Sequence, residues 1–196
     1  MDFINNALYW LSTGMLVPVI VFLLFFFVRS LMMIGGFYGR YVNRSKVNVK
    51  IHRQLDERSV PEFLDTLGDY PKSNELIASL ERVSRFRDSA PALDRQLGDY
   101  EIVADKELGK SKLLVKIGPI LGLMGTLIPM GPALTGLATG DVESMAQNMQ
   151  VAFATTVVGL IIGAVGFITL QVKQRWYADD MNILEYVVES LKEHKK

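Results

Sequence analysis

The chain has 196 residues, 49% of them hydrophobic, with 21 basic and 21 acidic side chains and no cysteine. Zero net charge gives no general attraction for nucleic acid, and the lack of cysteine excludes disulfides and thiolate chemistry. Three stretches carry no charged residue at all: 3–28, 117–140 and 144–172. Each is longer than the ~20 residues that a helix needs to cross a membrane, so the sequence predicts an all-α membrane protein with three transmembrane helices.

The basic residues are confined to Arg29, to the segment 40–116 and to the segment 173–196. The positive-inside rule places both segments in the cytoplasm and the N-terminus and the 139–146 turn outside. We therefore expect a multi-pass protein of the cell inner membrane with a cytoplasmic C-terminus. The N-terminus lacks the basic region of a cleaved signal, so we interpret 8–34 as a retained helix in which Arg29 reaches back to the headgroups.

Side-chain size distinguishes the three hydrophobic helices. The first carries a bulky run over 22–28 that suits lipid contact, whereas the second and third repeat small residues every three or four positions. Small residues let membrane helices approach closely, and such packing alone explains most of the glycines. Four threonines in these two helices also allow a polar pore lining, and the pattern leaves both alternatives open: Thr126, Thr135, Thr155 and Thr156.

The cytoplasmic segments are predicted to be helical. Ser59 and Glu62 form a capping-box pattern with Pro61 in the first turn, and apolar spacing predicts a helix over 74–87. The pattern also predicts long cytoplasmic helical extensions of the second and third transmembrane helices. The resulting segments are 1–39 (outward N-terminus and first helix), 40–112 (cytoplasmic helical loop), 113–138 (second helix), 139–146 (outer turn), 147–173 (third helix) and 174–196 (cytoplasmic tail).

No catalytic or metal-binding pattern emerges, so we expect neither an enzyme nor a cofactor. Residues 104–111 resemble the end of a phosphate-binding loop, but Ala104 replaces its first glycine and no strand precedes it. The other polar candidates are interpreted as solvated surface groups: His52, His194, Asp56 with Glu57, and Asp179 with Asp180.

The second and third helices contain no Asp, Glu, Lys, Arg or His. Proton relays across a membrane normally need a titratable group at membrane depth. If the chain works with protons, a partner protein must therefore supply that group.

Two motifs indicate a family. Residues 118–127, Gly-Pro-Ile-Leu-Gly-Leu-Met-Gly-Thr-Leu, resemble the first signature of the MotA/TolQ/ExbB proton-channel family, and 152–160, Ala-Phe-Ala-Thr-Thr-Val-Val-Gly-Leu, resemble the second. The resemblance implies a homo-oligomeric ring, a pentamer, around an ExbD-, TolR- or MotB-like single-span partner that carries an Asp in its membrane helix. It also implies that ion flow past this Asp turns ring and partner against each other.

By motif position, the resemblance assigns pore-facing roles to Thr126 and Thr156. Two positions depart from the family pattern: Val151 replaces a Glu, which argues against a relay through this subunit itself, and Pro129 replaces a glycine, which predicts a kink or local unwinding. The predicted pore-lining residues are Thr126, Thr155 and Thr156, and the predicted packing and kink residues are Pro119, Gly122, Gly125, Pro129, Gly159 and Gly163.

The leading hypothesis is thus a ring-forming ion-channel subunit of a motor driven by the proton-motive force. The alternative is a structural membrane scaffold that oligomerises through its glycine-rich helices without conducting ions. A self-sufficient small transporter is disfavoured because the sequence has no internal repeat and no charge at membrane depth. The short cytoplasmic loop argues against a flagellar load, but the load itself and the choice between H⁺ and Na⁺ stay open.

Overall fold

A computed structural model describes residues 3–4, 10–11, 14–70 and 74–193 of the chain. Over these ranges the regular structure is entirely helical. The elements are α1 (Leu16–Glu57), α2 (Val60–Asp65), a short 3₁₀ turn (Leu67–Asp69), α3 (Glu75–Arg85), α4 (Ala90–Thr139) and α5 (Val142–Glu193).

The predicted all-α membrane architecture is confirmed. Three helices are long and apolar enough to cross a membrane, and the spanning part of α1 is Leu16–Phe37. At 50 and 52 residues, α4 and α5 also confirm the predicted extension of the second and third helices beyond the membrane.

The first helix differs from its prediction. It continues past residue 34 to Glu57, and its predicted start at residue 8 lies outside the described residues. The continuation has a physical cause, because Val47 and Ile51 stand one helical turn apart and are both buried in an apolar core.

The described chain divides into two compact units. The first comprises the residues up to Gly35 together with Lys110–Leu170. Its apolar core takes buried side chains from all three long helices: Val19, Leu23, Leu114, Leu121 and Ile162. Most of the bulky face of α1, including Phe22 and Phe25, stays exposed, as expected of a lipid-facing helix.

The second unit comprises Gly36–Gly109 and the residues from Gln171 onward. Its core buries the predicted apolar stripe of α3 together with a stripe of α5: Leu76, Ile77, Leu80, Val83, Leu184, Val188 and Leu191. The Glu62 carboxylate accepts a hydrogen bond of 3.3 Å from the Ser59 backbone N–H before α2. Asn74 caps α3 by accepting from the Leu76 N–H at 3.1 Å.

A tight turn joins α4 to α5 within the first unit. Gly140 has a φ of +77°, a left-handed conformation that glycine adopts without strain. Asp141 then caps α5, because its Oδ1 accepts a hydrogen bond of 3.0 Å from the Ser144 N–H. The turn is therefore much shorter than the predicted segment 139–146.

Candidate functional site

Within the first unit, α4 and α5 pack along a seam of small residues. A Cβ added to Gly118 would lie 2.6 Å from the carbonyl oxygen of Gly159, and one added to Gly159 would meet the Gly118 oxygen at the same distance. One added to Gly122 would lie 3.3 Å from the Gly159 Cα. The two backbones are therefore in direct contact, and side chains at these positions would force them apart.

The contacts along the seam keep a constant antiparallel register, because each step forward on α4 is matched by an equal step backward on α5. The facing pairs are Gly136 with Met145, Gly125 with Thr155, Gly122 with Gly159, Gly118 with Gly163, Leu114 with Gly166, and Ser111 with Thr169. This register places Thr126 at the level of Thr155 and Thr156. The three predicted pore-lining threonines therefore share one depth along the helix pair.

The three threonines differ in their surroundings. Thr155 is only 6% exposed and packs against Gly125 inside the seam, whereas Thr126 and Thr156 are half-buried at its margin. Each hydroxyl donates to its own helix: Thr126 to the Leu123 carbonyl at 2.7 Å, Thr156 to the Ala152 carbonyl at 3.1 Å, and Thr155 to the Val151 and Ala152 carbonyls at 3.0 and 2.9 Å.

The prolines of α4 lie close to this level. The helix continues through Pro119, Pro129 and Pro132. The kink or local unwinding expected at Pro129 stays a prediction. Proline has no N–H, so Pro129 leaves the Gly125 carbonyl, four residues earlier, without its helical donor. Pro119 packs on α5, where a Cβ added to Gly163 would lie 3.0 Å from its ring.

Sequence reasoning missed a buried polar cluster in the second unit. The sequence pattern predicts a solvated surface acid at Asp180, but the structure buries this residue fully, because it faces α1 and α4 rather than solvent. The Arg44 guanidinium and the Tyr100 hydroxyl both donate to its Oδ2. Arg44 also lies over the rings of Trp176 and Tyr177, at 5.3 and 5.6 Å from their centroids.

Burial shapes the electrostatics of this cluster, which lies outside the uncharged membrane stretches. Burial raises the pKa of Asp180, while the Arg44 charge opposes that rise. Burial, together with the Asp180 carboxylate, also raises the pKa of Tyr100. The spacing of Arg44, Tyr100 and Asp180 along the chain carries no signal for this arrangement, since the three residues come from three different helices.

Among the remaining polar candidates, His194 and the Asp56 side chain lie outside the described part of the chain, and His52 and Asp179 have simple surroundings. His52 is exposed, but it lies 3.3 Å from the Asp179 carboxylate, and Asn48 donates to the same group at 2.8 Å. Residues 104–111 are part of α4, so they form no phosphate-binding loop. No cluster of potential metal ligands occurs among the described residues.

Comparison with known proteins identifies the class. The sequence profile of the MotA/TolQ/ExbB proton channel family matches residues 76–185, more than half of the chain, and this range includes the whole α4–α5 seam. The chain belongs to this family, and it is a membrane protein of a channel family rather than of an enzyme family.

One relative is similar over a shorter range. A protein named Motility protein A, from Cereibacter sphaeroides, is 34% identical over 99 residues. The alignment covers 47% of this chain and 38% of that relative, so the chain spans well under half the length of the protein that it matches. No solved structure matches the chain.

Proposed function

We propose that this chain is the ring-forming ion-channel subunit of a motor driven by the proton-motive force. In this proposal several copies, five by analogy with the family, surround an ExbD-, TolR- or MotB-like single-span partner in the cell inner membrane. The N-terminus and the Gly140 turn lie outside, and the C-terminus lies in the cytoplasm.

One observation carries the proposal: Thr126, Thr155 and Thr156 share one level of a helix pair that has no titratable side chain in its uncharged stretches. Hydroxyl oxygens can pass a cation along, but they cannot hold a proton as a carboxylate does. A partner's intramembrane Asp at that level would complete the path. The Gly125 carbonyl beside Thr126, which lacks its helical donor because residue 129 is proline, would add another oxygen ligand.

The test is proton flux into liposomes that contain the chain together with its single-span partner. We expect flux with both proteins, and none after the partner's membrane Asp is replaced by Asn. Thr156→Val, at the margin of the seam, should reduce flux while the complex still assembles. Thr135→Val is the matched control, because Thr135 is an exposed threonine of α4 at a different depth.

The second candidate function is a structural scaffold. The threonines favour it in one respect, since every threonine of the site donates its hydroxyl proton to a carbonyl of its own helix. A scaffold would assemble with the partner, yet no variant of the partner's Asp would alter flux. Assembly with no Asp-dependent flux would therefore replace the channel proposal with the scaffold.

A further inference from the structure

The charges of the first unit are segregated along its helices. Among its described residues, the cations are Arg29, Lys110, Lys112 and Lys116, and all four are exposed. Its carboxylates are Asp141 and Glu143, at the opposite end of α4. One end of the unit therefore presents only positive charge from its own residues.

Arg29 occupies an unusual position within this set. It follows Phe22 and Phe25 and precedes Met32 at helical spacing, and all four side chains lie on the exposed face of α1. Arg29 stands eight residues before the end of the spanning segment Leu16–Phe37, or ~12 Å along the helix at 1.5 Å per residue. Within the part of the chain that the structure describes, it makes no hydrogen bond or ion pair.

The register of α1 and α4 places a second cation at the same depth. Ser111 Oγ lies 3.9 Å from the Met33 sulfur. The α1 residues of the shared core precede Met33 and the α4 residues follow Ser111, so the two helices run antiparallel. Arg29 and Lys116 are then ~6 Å and ~7.5 Å beyond that contact in the same direction.

We propose that Arg29 binds the phosphate of an anionic phospholipid in the inner leaflet, and that Lys116, at the same depth, adds to the positive potential there. A guanidinium offers a planar pair of donors that matches phosphate oxygens, and an ammonium at the same depth adds a second positive charge. The exposed Phe22 and Phe25 rings lie on the same face, where an acyl chain would run. This apolar stripe favours a lipid over free phosphate, since free phosphate has no group to cover it.

The phosphate replaces the hydration that Arg29 loses at this depth, so the lipid lowers the cost of keeping a cation on a lipid-facing helix. The inference rests on the membrane-spanning helices and not on ion conduction. A chain that conducts nothing would still bind the lipid, and the two proposals can fail independently.

The test uses the full chain in phosphatidylcholine vesicles that contain spin-labelled phosphatidylglycerol or spin-labelled phosphatidylcholine. Electron spin resonance gives the fraction of each label that the protein immobilises. We expect the protein to prefer phosphatidylglycerol by about five-fold, the scale of one basic contact at a membrane surface. Equal immobilisation of the two labels would overturn the proposal.

Substitutions localise the site. Arg29→Gln should remove most of the preference, Arg29→Lys should retain part of it, and Lys116→Gln should reduce it less. Arg95→Gln is the control, because Arg95 is an exposed cation that pairs with Asp99 in the second unit. A full preference in Arg29→Gln would overturn the assignment. If Arg29→Gln fails to fold, Arg29→Lys provides the test instead. An unchanged preference for phosphatidylglycerol in Arg29→Lys would exclude recognition of the phosphate by the paired donors of the guanidinium.

Free phosphate is the alternative source of the same chemistry. Inorganic phosphate should lower the preference of the wild-type chain no more than sodium chloride of equal ionic strength does. A specific loss of preference in phosphate would indicate an ordinary anion site and would contradict the lipid assignment.

Discussion

Gly125 and Thr155 approach each other so closely that a Cβ added to Gly125 would lie 2.6 Å from both the Cβ and the Oγ1 of Thr155. The hydroxyl-bearing side chain of α5 thus occupies the space that a larger residue of α4 would need. At this point, packing and the proposed ion path involve the same two residues.

Gly125→Ala should therefore destabilise the helix pair. The added methyl overlaps Thr155 and forces the helices apart, at a cost of about 1–3 kcal/mol. Unfolding of the reconstituted chain in a denaturing detergent measures this cost. Gly131→Ala is the matched control on the same helix, because an added Cβ at Gly131 meets nothing within 4 Å. If Gly125→Ala and Gly131→Ala destabilised the chain equally, the close contact between α4 and α5 at Gly125 would be contradicted.

Pro129→Ala should stabilise α4 and reduce ion flux. Alanine restores the N–H that donates to the Gly125 carbonyl, so the helix gains a hydrogen bond and the proposed path loses an oxygen ligand. Proton flux with the partner present, measured alongside detergent unfolding, tests both effects. Pro132→Ala should leave flux unchanged, because it restores the donor for the Ile128 carbonyl instead. If Pro129→Ala and Pro132→Ala both lost flux, the Gly125 carbonyl would not be part of the proposed ion path.

Asp180→Asn should destabilise the second unit by about 3 kcal/mol, because it leaves the Arg44 charge buried without its carboxylate. Asp179→Asn should cost less than 1 kcal/mol, since Asp179 is 40% exposed. Chemical unfolding of both variants gives the comparison. The double variant Arg44→Met with Asp180→Leu should recover much of the stability that Asp180→Asn loses. If the double variant were no more stable than Asp180→Asn, the unpaired Arg44 charge would not be the cause of that loss.

The raised pKa of Tyr100 predicts a specific alkaline response. Tyr100 keeps its proton in the folded chain above pH 10, where an unfolded tyrosine releases it, so its contribution to stability falls as the pH rises beyond that value. Tyrosinate absorbance of the folded protein should rise by the same amount near pH 10 in the wild-type chain and in Tyr100→Phe, because Tyr100 does not ionise there. A smaller rise in Tyr100→Phe would mean that Tyr100 is accessible to solvent and ionises normally.

The three candidate spanning helices were predictable because charge and length constrain them strongly. The gap between Lys116 and Asp141 alone implies a spanning helix, and small residues at three- and four-residue spacing imply that this helix packs closely. The stripe from Leu76 to Val83 predicted α3 in the same way, since local periodicity shows which face is buried.

The polar cluster could not be predicted because its members come from distant positions. Residues 44 and 180 are 136 apart in the sequence, and nothing local distinguishes the buried Asp180 from its partly exposed neighbour Asp179. The continuation of α1 to Glu57 falls largely in the segment predicted as a cytoplasmic helical loop. Residues 35–57 are too polar to resemble a membrane helix, and tertiary burial of Val47 and Ile51 accounts for the unbroken helix.

The threonine hydrogen bonds have a consequence for the sign of the ion. Thr126, Thr155 and Thr156 each direct the hydroxyl proton to a carbonyl of the same helix, so only oxygen lone pairs remain for any further neighbour. A surface made of lone pairs attracts hydronium or a metal cation and repels chloride. In the proposed channel, the helix pair would therefore favour cations without a charged residue in its uncharged stretches.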